Sequence, residues 1–313
     1  QDLLRARVIS NSKPVQNYPS LEGTDPLCAM PAVPDLSVGI EGGDEVWAAG
    51  QPAWLQQLTS PLDDMYCACA DMSTKHALKV SGTTVGCAGV DEEQQLVHFT
   101  VDPAAGAHAT SLLSHALKAL AVKGIVLQTV DPGFLFPVLD VVAAQALTVK
   151  VQGLLFTTAG EPARDAELDA KLYRAGIDDL DRIVAFCADE AQMDRSFLKW
   201  YMPLRLKKQE LYLLQEECEG AEGKRILCMG ELRGDALQPD VAHLGVVTAP
   251  RERGKGLARR MLGTLTARGV ERGLRVRAGA DADNLPSVHA LQGAGLMPTH
   301  RVLKIAVPGM SAE

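Results

Sequence analysis

The run Val246-Val247-Thr248-Ala249-Pro250-Arg251-Glu252-Arg253-Gly254-Lys255-Gly256-Leu257-Ala258 constrains the fold of this chain more than any other. Its apolar start reads as a buried strand that stops at Pro250. The next residues form a loop with two glycines, which opens directly into a helix carrying Leu257, Met261, Leu262 and Leu265 on one face. Gly254 and Gly256 let backbone come close to a ligand, and the first N–H groups of the helix have no intrahelical partner. Such a strand, loop and helix make an anion cradle suited to phosphate and place the segment in a layered α/β fold.

The downstream segments extend the pattern. A short strand, Leu274–Ala278, is followed by a helix capped by Asn284, with Pro286 in its first turn and Gly295 just past its end. A last strand spans His300–Val307. The order of strand, R-x-x-G-x-G, helix, strand, Asn-x-x-Ser helix, Gly-Leu and strand resembles the GNAT superfamily of acyl-CoA-dependent N-acyltransferases, closely over about 226–307 and more loosely from about 166.

The resemblance implies a pyrophosphate-binding loop of Arg251, Glu252, Arg253, Gly254, Lys255 and Gly256, continued by Leu257 and Ala258. It further implies that the strand ending in Val246, Val247 and Thr248 pairs with the pantetheine arm and polarises the thioester. Asn284 and Ser287 match the last conserved helix, where Leu291 replaces the tyrosine that many members use to protonate the leaving thiolate. Asp240, Glu231 and His243 are level candidates for the general base, and His243 is an odd number of residues from Asp240, hence on the opposite strand face. Each also reads as an ordinary rim or core residue. Ser287 and His289 are candidates for the acid. Phe197, Trp200 and Tyr201 fall where the family floors its acceptor pocket, although core packing explains them equally well. The implied co-substrate is acetyl-CoA, with no metal, and the implied acceptor is an amine of a small molecule. A CoA-binding scaffold without turnover and a GNAT-like decarboxylase or S-acyltransferase stay open as alternatives.

The chain also repeats itself. Lys123-Gly124 matches Arg272-Gly273 and Ala146-Leu147 matches Gly295-Leu296, both 149 residues apart. Val97–Pro103 resembles Leu244–Pro250, and Gly86–Val90 resembles Leu227–Glu231. This is a domain duplication. The predicted fold is therefore α/β, two tandem GNAT-like domains, each a mixed, largely antiparallel sheet flanked by helices. The expected division is an arm over 1–35, a degenerate domain over 36–157, a linker over 158–165, and a domain with an intact acyl-CoA site over 166–313. In the first copy the loop reads Pro103-Ala104-Ala105-Gly106-Ala107-His108, without the arginine and with His108 in place of the second glycine. A retained scaffold is expected there. Each copy shows one strand after its last helix where the family carries two, so either the arm, through Leu3–Ile9, or the opposite domain is expected to cover the missing edge.

Charge and cysteine usage bound the partners. The net charge of −8 argues against a general nucleic-acid binder. Nine Lys/Arg against two Glu between Arg251 and Arg277 read either as a solvated basic face or as a patch facing the phosphates of CoA, and the second is favoured. The apolar stretch Phe134–Leu147 is broken by Pro137, Asp140 and Gln145, so no transmembrane helix and no membrane partner are expected. Seven cysteines at irregular spacing, with Cys67-Ala68-Cys69 fitting neither a zinc nor a redox motif, suggest a reducing cytoplasmic setting. A monomer or homodimer is expected. The chain begins at Gln1, which leaves a preceding targeting segment open.

Overall fold

The two halves lay down the same succession of elements, and the second adds one short helix before it. The computed structural model describes residues 35–39, 42–217 and 224–308. The first half comprises β1 (Leu36–Gly39), α1 (Gly43–Gln57), α2 (Asp64–Met72), β2 (Thr74–Val80), β3 (Thr83–Val90), β4 (Gln95–Val101), α3 (Ala109–Ala119), β5 (Gly124–Gln128), α4 (Pro132–Gln145) and β6 (Val149–Thr158). The second comprises α5 (Ala166–Lys171), β7 (Tyr173–Arg174), α6 (Leu180–Ala191), α7 (Arg195–Lys207), β8 (Leu211–Glu217), β9 (Lys224–Gly234), β10 (Val241–Thr248), α8 (Leu257–Glu271), β11 (Arg275–Asp281), α9 (Leu285–Gly293) and β12 (Leu296–Ala306). The expected arm with its Leu3–Ile9 segment, and the turn at 219–223, lie outside the described residues.

The twelve strands of the described residues join in one sheet, ordered β1-β2-β3-β4-β5-β12-β6-β11-β10-β9-β8-β7. The two halves exchange their last strands. β6, from the first half, lies antiparallel between β11 and β12, while β12, from the second, pairs with β5 as well as β6. Each missing strand is thus supplied by the opposite half. The cores record the same exchange: Leu303, Ile305 and Val307 pack in the first-half core, and Phe156 packs in the second-half core. Burying a side chain of this size contributes about 1.5–3 kcal/mol, so each half leans on the other's strand.

Short polar residues start the helices. Asp63, Asp131, Asp165 and Asp194 accept from early backbone N–H groups of α2, α4, α5 and α7. Asn284 does the same for α9, accepting from Ser287 N at 3.3 Å, and Gly295 follows at φ +88° as the sequence predicts.

The feature that positions the site is a fork. β10 and β11 run parallel and pair only from Val241–Leu244 to Arg275–Ala278. Beyond that, β10 keeps to β9 as far as Thr248, and β11 keeps to β6 as far as Asp281. The two strands part, leaving the backbone of β10 past Leu244 without a strand partner on its β11 side among the described residues.

Candidate functional site

The fork opens a cavity of 440 Å³ lined by Gly245, Val246, Gly279, Ala280, Asn284, Ser287 and Leu291, among others. At the far end of β10 lies the glycine loop. Pro250–Glu252 form a single 3-10 turn, and Gly254 and Gly256 adopt φ +76° and +77°. L-residues avoid this left-handed region, so both glycines are required by the backbone itself. Gly256 caps α8 without a side chain, which leaves the first-turn N–H groups unanswered by any cap. Arg251 and Arg259 are exposed and have no ion pair among the described residues.

The wider basic run does not form a phosphate-facing patch, contrary to the reading favoured from the sequence. Arg260 pairs with Asp165, Arg268 with Asp169 and Arg275 with Asp240. Lys255 pairs with Glu252, Arg253 donates to the carbonyls of Thr248 and Glu190, and Arg272 donates to the Tyr212 hydroxyl. Arg277 is buried, donating to Ser60 Oγ at 2.6 Å and Pro61 O at 3.1 Å. Burial, then the neighbouring Arg275, push its pKa down to about 10. These cations mostly staple the sheet to its flanking segments.

The candidate bases separate cleanly. Asp240 is exposed, paired with Arg275 at 2.7 Å, and does not line the cavity. Glu231 and His243 lie on the strand face opposite α8, with Arg233. Glu231 accepts from the Tyr201 hydroxyl at 3.0 Å and from Arg233. It sits against Gly245, where a Cβ would come within 3.0 Å of Oε2. His243 is buried, its Nε2 lying 2.9 Å from Asp235 Oδ2. Burial opposes the charge on Asp235, but the His243 hydrogen bond and the backbone N–H groups of Leu237 and Gln238 outweigh it and lower its pKa. An ionised Asp235 requires a hydrogen on Nε2, and Nδ1 has no hydrogen-bond partner among the described residues, lying 3.8 Å from Asp64 Oδ1.

Sequence reasoning missed Asp63 and Asp64, because they belong to the first half. Asp63 lines the same cavity, and a Cβ on Gly279 would come within 3.1 Å of its Oδ2. Asp64 accepts two bonds of 3.0 Å from Arg233 Nε and Nη2. Burial, then the charge of Asp64, raise the pKa of Asp63. For Asp64, burial is outweighed by the Arg233 guanidinium and its hydrogen bonds, and the pKa falls. Asp63, Asp64 and His243 bring ligand atoms within 4.8 Å of one another, but both oxygens of Asp64 are already held by Arg233. No metal is assigned there. The only sequence signal for Asp63 was its place just before an apolar helix, which marks a cap and nothing more.

Of the aromatic trio, Tyr201 alone reaches the charged cluster. Phe197 stacks on Tyr201 at 5.1 Å, and Trp200 is 64% exposed. Ser287 and Asn284 flank the cavity mouth, and Leu291 is buried in its wall.

The matching fork in the first half is filled. β4 and β5 pair only at Gln95–Leu96 and Gly124–Ile125. The Tyr66 hydroxyl then bridges the gap, 2.6 Å from Val97 O and 3.2 Å from Val126 O. His98 is clasped by Trp47 and Trp54 with ring centroids at 4.4 and 4.8 Å. The loop 103–108 is a 3-10 turn without a left-handed glycine.

Residues 48–159 match a family model described as an acetyltransferase (GNAT) domain, and residues 177–295 match the acetyltransferase (GNAT) family. The chain carries two GNAT domains in tandem. Among solved structures, this tandem GNAT protein is similar to a GNAT-family acetyltransferase from Colwellia psychrerythraea, with 22% identity, 87% of this chain and 99% of that one covered, and a TM-score of 0.74. It also resembles a tandem GNAT protein from the clavulanic acid biosynthesis pathway, with 15% identity, 89% and 100% coverage, and a TM-score of 0.56. A GCN5-related N-acetyltransferase from Sphaerobacter thermophilus gives 16% identity, 77% and 83% coverage, and a TM-score of 0.52. No curated protein matches the chain. The family implies acyl transfer from CoA. No helix among the described residues is long and apolar enough to cross a membrane.

Proposed function

We propose that this tandem GNAT protein transfers an acyl group, acetyl by default, from CoA to an amine of a small molecule, in the fork of its C-terminal half. The observation that carries this reading is the open fork between β10 and β11, continuous with the glycine loop and α8, beside a counterpart in the first half that Tyr66, His98 and two tryptophans close.

The diphosphate would lie on the N–H groups at the start of α8, with Arg251 and Arg259 as the available cations. The pantetheine amides would add to the unpartnered backbone of β10 past Leu244 as an extra strand. Its N–H groups would also receive the oxyanion that forms on the thioester carbonyl. Leu291 offers no proton, so the thiolate leaves without an acid from that position. The acceptor would enter from the side of α2 and α7. Asp63, Asp64 and Glu231 gather there around Arg233, with His243 and Arg277 also close to Asp63, and Asp63 would receive an amine that arrives as an ammonium. The first half serves as a closed partner domain with respect to CoA. The free thiols at Cys67, Cys69, Cys87, Cys187 and Cys228 suit a reducing cytoplasmic setting.

Thiol release from acetyl-CoA in the presence of tyramine, spermidine or lysine tests the reading. Release that depends on an amine and disappears in Arg251→Ala/Gly256→Glu supports it. Release that survives this double change, or acetyl-CoA binding with no release for any amine, contradicts it.

A further inference from the structure

We infer that Asp63, contributed by the N-terminal half, is the general base for acyl transfer in the C-terminal half. The inference rests on the acyltransferase reading and assigns a catalytic part to the half that binds no donor.

The geometry singles out this carboxylate. It lines the fork beside Gly279, at the point where β10 and β11 separate. Its donors are backbone N–H groups at the start of α2, Met65 at 3.2 Å and Tyr66. Glu231, on the other side of the fork, is engaged by Arg233 and the Tyr201 hydroxyl. Asp64 is engaged by Arg233, Asp235 by His243, and Asp240 lies on the surface with Arg275. Among the described residues, Asp63 and Asp281 are the acids lining the cavity that no side-chain donor holds; Asp281 is exposed at the end of β11, whereas Asp63 is half-buried beside the point where β10 and β11 separate. A carboxylate tied to a guanidinium is a poor proton acceptor; Asp63 has no such bond, and its burial outweighs the backbone N–H groups that would lower its basicity.

Its position is fixed from both halves. The Asp63 N–H donates to the buried Gln128 Oε1 at 3.1 Å, and the preceding Leu62 is fully buried. Ser60 and Pro61 hold Arg277 of β11. The charged and titratable groups around it are Asp64 and Cys67 on α2, Arg233 and Glu231 on β9, His243 on β10 and Arg277 on β11. Burial and Asp64 raise its pKa, while His243 and Arg233 act against them. The net direction brings the carboxylate nearer neutrality, where a general base works best.

The step balances as follows. An amine that enters as an ammonium gives one proton to Asp63, and its lone pair attacks the thioester carbon. The C–N bond forms, the C–S bond breaks, and the CoA thiolate departs. The second proton lost from nitrogen reaches the thiolate through solvent, giving the amide and CoA thiol, and Asp63 returns its proton to water.

Asp63→Asn tests this in the full chain, since asparagine keeps the cap of α2. With acetyl-CoA and the best amine of the panel, kcat/KM should fall by about 10²–10⁴-fold. The acid limb of the wild-type pH–rate profile should disappear, CoA affinity by titration should stay within about threefold, and formate should partly restore the rate of Asp63→Gly. An Asp63→Asn protein with the wild-type rate and acid limb, or one that loses CoA binding, overturns the assignment. Failure of the acyltransferase reading looks different, because the wild-type chain itself would then transfer nothing to any amine.

Discussion

Asp63 and Gly279 come from opposite halves of the chain and meet at the mouth of the fork, where a Cβ on Gly279 would lie 3.1 Å from Asp63 Oδ2. The absence of a side chain on β11 therefore sets how close the carboxylate comes to the cleft. Gly279→Ala should lower kcat by roughly a few-fold, because the new Cβ would push the carboxylate away by a fraction of an ångström and misplacement is costly at a reacting centre. The melting temperature should change little. Steady-state kinetics beside a thermal melt will separate these, and a normal kcat would show that the contact is incidental.

Arg277 ties the first half to β11 through Ser60 and Pro61. Arg277→Met should cost about 1–3 kcal/mol, since it leaves the Pro61 carbonyl and Ser60 hydroxyl without their buried donor. It should also lower kcat by loosening the segment that carries Asp63. Urea denaturation measures the first effect. A variant as stable as the wild type would mean that the guanidinium merely fills space.

The exchanged strands predict that the halves fold together. The full chain should unfold in one transition, with the calorimetric enthalpy equal to the van't Hoff enthalpy. Residues 35–159 expressed alone should fail to give a cooperative melt, since Leu303, Ile305 and Val307 of the other half complete their core. Two resolved transitions, or a stable isolated half, would count against this coupling.

His98 predicts an acid limit to stability. Burial, with Lys75 nearby, depresses its pKa from 6.5 to about 3. Between those values the unfolded chain binds a proton that the folded chain does not, so stability is full above pH 6.5 and declines as the pH falls towards about 3. The loss is of the order of several kcal/mol at most. His98→Gln should flatten the slope of unfolding free energy against pH across that window by close to one proton. An unaltered slope would assign the acid sensitivity to other groups.

Much of the architecture was legible in the sequence because it depends on local rules. The glycines at 254 and 256, the Asn284 cap and Gly295 each answer a backbone requirement, and the 149-residue repeat announced two copies with the same strand order. The missing last strand was legible as a gap, with the opposite domain as one of two candidates to fill it, but the choice between them was not. Pairing of β6 with β11 joins residues more than a hundred positions apart, and nothing local marks the choice. The site was legible on the donor side, where backbone geometry selects residue types. It was hidden on the acceptor side. Asp240 was suggested by its place along β10, yet the pairing with Arg275 depends on the parallel register. Asp63 lies in the worn copy and matches no family motif, and only the shared sheet brings it to the fork.

Titration calorimetry of the chain with CoA tests the central claim most directly. One site per chain is expected, lost in Arg251→Ala/Gly256→Glu and unaffected by His108→Glu in the first-half loop. Two sites per chain, or binding that survives the double change and disappears with His108→Glu, would contradict the placement of the donor in the C-terminal fork.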